Sequence, residues 1–308
     1  MERLNRFVML CGLPGSGKST YAERLEAEEG FIIHSSDKIR AELGDVNDQS
    51  KNEDVFNLLH KRVKADLNNR KNVCYDATNL NRKRRMAFLK ELKNIECRKI
   101  CVFIATPWEI CLAQNFARDR QVPQEVMSRM YKSFQMPSIY EGFDEVIVHY
   151  ENEDWKSYYG SVEEYVDSLV NFEQENSHHT LTLGNHMIGA VNYLAETKGS
   201  ECSLDVLYAT YTHDIGKPGV KSFVNGKGEV TPEAHYYSHH NCGSYKSLFF
   251  KYPKCINKEY VALLIEHHMK PMLEWKQSEK EKEKDRKLFG DHFINDVMLL
   301  HEADVFAH

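Results

Sequence analysis

The first 150 residues alternate between two patterns. Short apolar runs rich in β-branched or aromatic residues occur at Phe7–Cys11, Phe31–His34, Asn72–Tyr75, Ile100–Ala105 and Glu145–His149. Longer polar–apolar stretches separate them, as in Lys18–Glu29, Glu53–Asn69 and Arg82–Leu92. Strand–helix alternation of this kind predicts an α/β domain, a mostly parallel sheet flanked by helices. Residues 151–177 change character, being acidic and rich in Tyr, with a helical candidate at Val162–Phe172. Beyond them strand-like runs are few. Helical spacing at Leu181–Thr197, Ser203–His213, Cys242–Phe250, Lys258–His268 and Asp291–Ala307 predicts an all-α second domain. A boundary near residue 155 gives domains 1–155 and 156–308. The charged tract 276–287, KQSEKEKEKDRK, is expected as a solvated helix or a mobile loop.

Composition narrows the class. A chain of 308 residues, 42% hydrophobic and 28% charged, belongs among soluble globular proteins. Its net charge of −6 excludes a strongly basic nucleic-acid coat protein. The charge is unevenly spread. Residues 1–150 carry 24 Lys and Arg against 21 Asp and Glu, whereas residues 151–308 carry 16 against 25. Twelve of the 15 histidines lie after residue 170, which points to different chemistry in the two halves. The eight cysteines form no Cys-x-x-Cys, and their usual reading is reduced thiols. No signal-peptide pattern opens the chain, and no apolar stretch reaches the ~18 residues of a membrane span. A cytoplasmic location without membrane contact is expected.

Gly12-Leu13-Pro14-Gly15-Ser16-Gly17-Lys18-Ser19 fits G-x-x-x-x-G-K-[ST] between a strand and a helix candidate. Glycines let backbone N–H groups curl around phosphate oxygens, and the helix N-terminus adds partial positive charge. Lys18 then reaches the β- and γ-phosphates, and Ser19 ligates Mg²⁺. Gly12, Gly15, Ser16, Gly17, Lys18, Ser19 and Thr20 are the candidate nucleotide-binding residues, for ATP or another nucleoside triphosphate. After the second strand, Ser35-Ser36-Asp37-Lys38-Ile39-Arg40 sits where a strand delivers its C-terminal end to the nucleotide crevice. Asp37 is placed to take a proton from an attacking hydroxyl, and Arg40 to face an anionic substrate group. Asp37 can equally cap the next helix. After the third strand, Asp76 can order Mg²⁺ or its waters. The cluster Arg82, Lys83, Arg84, Arg85 is either a solvated helix face or a nucleic-acid contact. Arg118 and Arg120 precede Val122-Pro123, where an arginine can close over the transferring phosphate.

Residues 7–140 resemble the phage-type polynucleotide 5′-kinases through GLPGSGKST, SSDKIR, DATNLN and ARDRQVP…MYKS, in that order. The resemblance implies that Asp37 is the general base, that Arg40 contacts the acceptor phosphate and that Arg118 is the lid arginine. The family does not settle a role for Arg120. The chain departs from the family at Asp76, whose counterpart stands one place later before Thr-Asn-Leu-Asn.

In the second half, His213-Asp214 ends an apolar helix candidate and leads into Ile215-Gly216-Lys217-Pro218. His186, His235, His239-His240, His267-His268 and Asp304 surround it in the sequence. Imidazoles and carboxylates are ligands that borderline divalent metals accept, and two such ions can polarise a phosphoester. The ordered set resembles the HD-domain phosphohydrolases, closest in His213–Pro218 and in His235-Tyr236-Tyr237-Ser238-His239. That resemblance implies one or two transition-metal ions (Mn, Ni, Co, Cu, Zn or Fe) held by His186, His213, Asp214, His239, His268 and Asp304. The fourth histidine falls on His267 or His268, and His268-Met269-Lys270-Pro271 resembles the family's ending. Lys217 stands where the family often has a phosphate-contacting base. His34, His60 and His149 are expected to be ordinary structural or surface residues. His178 and His179 precede the first helix of this half as packing or capping residues. His292, His301 and His308 carry no spacing signal.

Together the resemblances imply a bifunctional enzyme that heals nucleic-acid ends, with RNA favoured over DNA. One half phosphorylates a 5′-hydroxyl; the other removes a 2′-, 3′- or 2′,3′-cyclic phosphate. An RNA ligase in the same pathway is the expected partner. A kinase of small nucleosides with an HD nucleotide phosphohydrolase is the alternative. A nucleotide-binding regulatory module with an HD sensor is a third reading.

Overall fold

The computed structural model describes residues 4–44, 50–177 and 180–308. The chain forms two compact units, Met1–Met130 with Pro137–Glu151, and Tyr131–Met136 with Asn152–His308.

The first unit begins with β1 (Arg6–Cys11), α1 (Lys18–Glu29), β2 (Ile32–Ser35), α2 (Ser36–Glu42) and α3 (Asn52–Asn68). It continues through β3 (Val73–Asp76), α4 (Arg82–Glu91), β4 (Arg98–Ile104), α5 (Trp108–Phe116), α6 (Gln124–Lys132) and β5 (Glu145–His149). The sheet order is β2-β3-β1-β4-β5, with every pairing parallel. The central strand is buried on both faces, so Phe7–Cys11 reads as unbroken apolar sequence. The helices instead show a stripe, as in α3, where Val55, Leu59, Val63 and Leu67 recur every four residues and are all buried. Because β1 is flanked by β3 and β4, the chain reverses direction across the sheet beside β1. That reversal leaves a crevice at the C-terminal strand ends.

The second unit holds α7 (Val162–Asp167), α8 (Leu183–Thr197), α9 (Leu204–Thr212), β6 (Ser222–Val224) and β7 (Val230–His235). It ends with α10 (His239–Ser247), α11 (Lys258–His267), α12 (Glu279–Phe289) and α13 (Asp291–Phe306). Val162, Val166, Leu169, Leu183, Met187, Ile215 and Phe250 form one core cluster. Gly216 permits the turn after α9 to touch α10, since a Cβ there would lie 2.1 Å from the His239 carbonyl oxygen. The short segment Tyr131–Met136 packs into this unit. Phe134 meets Tyr245 edge-on at 4.9 Å, the Tyr131 hydroxyl donates to the Cys242 carbonyl, and the Met136 N–H donates to Glu266.

The all-α expectation for this half needs correcting, because β6 and β7 form an antiparallel hairpin. Its turn is set by the Asn225 side chain, which accepts from the N–H groups of Lys227 and Glu229. The tract around 279–289 is a helix laced by pairs such as Glu283–Arg286 and Glu281–Lys284. Seven cysteines are buried and free, and Cys255 is exposed. No helix among the described residues is long and apolar enough to cross a membrane.

Candidate functional site

In the first unit the loop 12–17 joins β1 to α1, with Gly15 and Gly17 in the left-handed region at φ 77° and 92°. A Cβ on Gly15 would lie 2.4 Å from the Cys111 carbonyl oxygen, so α5 packs directly on the loop. Lys18 is buried and donates to the Leu13 carbonyl at 2.7 Å. Burial pushes its pKa down, and Asp76 opposes that push. The Ser19 hydroxyl donates to Asp76 at 3.2 Å. Asp76 ends β3 and is buried, which raises its pKa against the pull of Lys18 and the Ser19 hydrogen bond. Ser19, Lys18 and Asp76 therefore share one polar pocket at the strand ends.

Asp37 lies on the first turn of α2 with its carboxylate exposed. Oδ1 accepts from Arg40 at 3.0 Å, and Oδ2 lies 3.0 Å from Arg120. Arg40 is buried and also donates to Asn52. Arg118 donates to Asn115 Oδ1 at 2.7 Å, and burial lowers its pKa while Asp37 raises it. The contact between Arg120 and Asp37 carries no sequence signal.

The basic cluster on α4 is divided, with two residues buried and two exposed. Arg85 is fully buried, with Nε and Nη2 on Glu141 at 2.7 and 2.6 Å, and buried Arg82 lies 3.5 Å from the same carboxylate. Lys83 and Arg84 alone are exposed. His34 pairs with Asp66, His60 with Glu91, and His149 with Glu151.

In the second unit five elements converge. His186 stands on α8, His213 and Asp214 directly follow α9, His239 opens α10, His268 follows α11, and Asp304 lies on α13. They form two trios, His186–His213–Asp304 and Asp214–His239–His268. In the first trio, His186 Nε2 is 3.1 Å from His213 Nε2 and 3.1 Å from Asp304 Oδ1. In the second, His239 Nε2 is 3.1 Å from His268 Nε2 and 3.2 Å from Asp214 Oδ1. Asp214 spans both, since its other oxygen is 3.4 Å from His213 and 3.6 Å from His186.

The other ring nitrogen fixes the tautomer. Nδ1 of His186, His213, His239 and His268 faces the carbonyls of Ala307, Thr210, Tyr236 and Ile265 at 2.7–3.1 Å. A carbonyl only accepts, so Nδ1 carries the proton and a neutral ring presents its Nε2 lone pair inward. Two lone pairs aimed at each other across 3.1 Å repel unless a cation stands between or beside them. The electrostatics favour such a cation, whether a proton or a metal ion. Burial disfavours charge on His213, yet Asp214 and Asp304 push its pKa up to about 10. Burial also works against ionised Asp214, but Lys217 and His213 hold its carboxyl well below the usual range. Burial, with His239 and His213 beside it, pushes His268 well below 6.5. The pocket thus sets ionised carboxylates among imidazoles, holds a proton on His213 that a bound metal ion would displace, and attracts positive charge.

Lys217 lies 2.6 Å from Asp214 Oδ2, and its ammonium donates to Gln174 at 2.8 Å. His267 is turned away, donating to the Leu263 carbonyl between Phe289 and Phe293. His308 is placed 3.3 Å from Asp304, a neighbour that its sequence position did not signal. His235 bonds Thr231, and burial pushes His240 down to about 3. His292 is an exposed neighbour of Asp296, and His301 is half-buried on α13. His178 and His179 lie outside the described residues.

Residues 7–137 match the profile of the AAA domain family. The chain is 29% identical over 135 residues to the L-seryl-tRNA(Sec) kinase of Methanococcus maripaludis, covering 42% of this chain and 52% of that one. It is 26% identical over 147 residues to the bifunctional polynucleotide phosphatase/kinase of Schizosaccharomyces pombe, covering 45% of this chain and 32% of that one. It therefore spans about half and a third of these relatives. A solved structure of the Pnkp1/Rnl/Hen1 RNA repair complex aligns with TM-score 0.37 and 20% identity, over 43% of this chain and 45% of that one. The first unit contains a P-loop domain related to kinases.

Proposed function

We propose, on the premise of a kinase-related P-loop domain in residues 7–137, that the chain heals nucleic-acid ends with two separate sites. The kinase site moves the ATP γ-phosphate to a 5′-hydroxyl. The second site is an HD phosphohydrolase that removes a 2′-, 3′- or 2′,3′-cyclic phosphate, which makes RNA the expected substrate. The observation that carries the reading is the pair of trios joined through Asp214, in a chain that also holds a phosphate cradle. The likeness to a polynucleotide phosphatase/kinase, over 45% of this chain, supports the kinase half of the reading. The products, a 5′-phosphate and a 3′-hydroxyl, suit an RNA ligase as downstream partner.

In the kinase site the loop N–H groups and Lys18 bind the β- and γ-phosphates. Asp37 accepts the proton of the attacking hydroxyl, Arg40 holds the acceptor's phosphate, and Arg118 closes on the transferring group. Ser19 and Asp76 fit Mg²⁺, since a hydroxyl and a buried carboxylate with unfavourable ionisation are oxygen donors that a hard cation stabilises.

In the second site four Nε2 lone pairs and two carboxylates fit one or two borderline divalent ions. His186, His213, Asp214, His239, His268 and Asp304 would hold them. When bound, such ions supply Lewis-acid polarisation of the phosphoester and an activated water. Lys217, fixed by Asp214 and Gln174, presents a positive charge to the substrate phosphate.

An end-group assay tests both halves. One RNA carrying a 5′-hydroxyl and a 2′,3′-cyclic phosphate is incubated with ATP, Mg²⁺ and a panel of transition metals. The reading requires a new 5′-phosphate and loss of the cyclic phosphate; unchanged ends under every metal would refute it. Burial of Arg82 and Arg85 favours a second acceptor class, small nucleosides, because it removes half of the basic cluster from any polymer contact. Labelled ATP with oligonucleotide and nucleoside acceptors separates the two.

A further inference from the structure

The two oxygens of Asp37 are held by arms of different rigidity. Arg40 is only 6% exposed and is tied to Asn52 at the start of α3 by a 2.7 Å hydrogen bond. Arg120 stands on the loop between α5 and α6, and its side chain is 37% exposed. Arg118, two residues earlier, is occupied elsewhere. Asn115 accepts from it and also brackets Val122, taking that residue's N–H and donating to its carbonyl. One arm of the clamp belongs to the fold; the other rides on a loop that Asn115 keeps in shape. Arg118 and Asp76 also interact electrostatically with Asp37.

A general base must offer a lone pair to the hydroxyl it deprotonates, within hydrogen-bond reach. With Arg40 on one oxygen and Arg120 on the other, each oxygen of Asp37 already faces an N–H donor. A guanidinium, however, matches the fork of phosphate oxygens better than a single carboxylate oxygen. We propose that Arg120 senses the acceptor. With none bound it closes on Oδ2 of Asp37, and a phosphate beside the reacting hydroxyl draws it away and opens that oxygen. The proposal rests on Asp37 being the base of the kinase reaction. Once Arg120 has moved, Oδ2 takes the hydroxyl proton. The hydroxyl oxygen bonds to the γ-phosphorus of ATP, the bond from that phosphorus to the β–γ bridging oxygen breaks, and ADP leaves with the electron pair. The phosphate that draws Arg120 away is the one that Arg40 also holds in the proposed reaction, on the 3′ side of the acceptor's terminal nucleoside.

The test compares a nucleoside 3′-monophosphate with the matching nucleoside as acceptors for the full-length protein, with ATP and Mg²⁺. Wild type should prefer the phosphorylated acceptor in kcat/KM by about tenfold or more, as one charge-assisted contact allows. R120A should lose most of that preference from both sides. Its KM for the 3′-monophosphate should rise, and its rate on the nucleoside should also rise because the base is no longer covered. R120K should recover part of the preference. An equal fall on both acceptors, or an unchanged ratio, overturns the proposal and leaves Arg120 as a positioning residue or an inert one. Collapse of the ratio with an unchanged nucleoside rate assigns Arg120 to phosphate binding alone and overturns the release of Asp37. D37A reports separately on the underlying reading: near wild-type transfer by D37A removes Asp37 as the base, whatever R120A does.

Discussion

Asp76 is a carboxylate whose ionisation the fold opposes. Burial raises its pKa, and Lys18 and the Ser19 hydroxyl offset this only in part. A folded-state pKa above the unfolded value means that the native protein binds this proton more tightly. The contribution is therefore lost as pH rises through the unfolded value toward the raised one. Asp76→Asn removes the buried charge and should raise the Tm of the ligand-free protein at neutral pH by about 2–4 °C, while weakening binding of Mg²⁺ with ATP. Thermal melts and calorimetric titration check the two effects, and a lower Tm would contradict the account. Individual side chains were legible in the sequence wherever a fixed spacing carried them, as in Gly12–Ser19 and His213–Lys217. Arg120 on Asp37 and His308 beside Asp304 were not, because each contact depends on where a loop or helix end arrives in space.

At the scale of elements, α4 shows how composition misleads. Four consecutive basic residues read as a polyanion contact, yet two of them turn inward because the helix period carries Arg82 and Arg85 to the same buried face. Arg85→Ala leaves Glu141 buried with poorer compensation and should cost about 3 kcal/mol in urea unfolding. Lys83→Ala with Arg84→Ala should leave stability nearly unchanged. A small effect of Arg85→Ala would mean that water compensates Glu141. The parallel strands were legible as unbroken apolar runs, but their order was not, since β1 pairs with β3 and β4 and no local pattern names those partners. The hairpin β6–β7 escaped because β6 has only three residues. Its signal was the glycine-bearing five-residue loop 225–229 between β-prone residues, in which Gly228 takes the left-handed conformation at φ 85°.

At the scale of the molecule, the proposed reading puts two chemistries in one chain, and they are expected to fail independently. Asp37→Ala should abolish phosphoryl transfer and leave phosphohydrolysis intact; His213→Ala should do the reverse. End-group assays on each variant decide this, and loss of both activities in one folded variant would refute two separate sites. The histidine pocket also predicts a metal-linked stability. An ion that binds the folded state at a hundred times its Kd stabilises by about 2.7 kcal/mol. Melts with Mn²⁺, Ni²⁺ or Co²⁺ against a chelator should therefore show a clear rise in Tm, absent in His213→Ala. A wild-type melt indifferent to all of them would count against metal binding.

The segment Tyr131–Met136 has a practical meaning for dissecting this chain. The second unit takes six residues from the middle of the sequence, after which the chain re-enters the first unit at Pro137. No single cut between the two yields both units whole. A fragment beginning at Asn152 would lose Phe134 and Tyr131 from the side of Tyr245, a ring that is fully buried in the intact chain. It would also strip the Met136 N–H from buried Glu266. Such a fragment carries every histidine of the two trios and still begins with an opened core. Poor solubility or weak activity in it would report the cut rather than the chemistry. Point substitutions in the full chain, not halves expressed apart, are the fair way to test the two proposed activities.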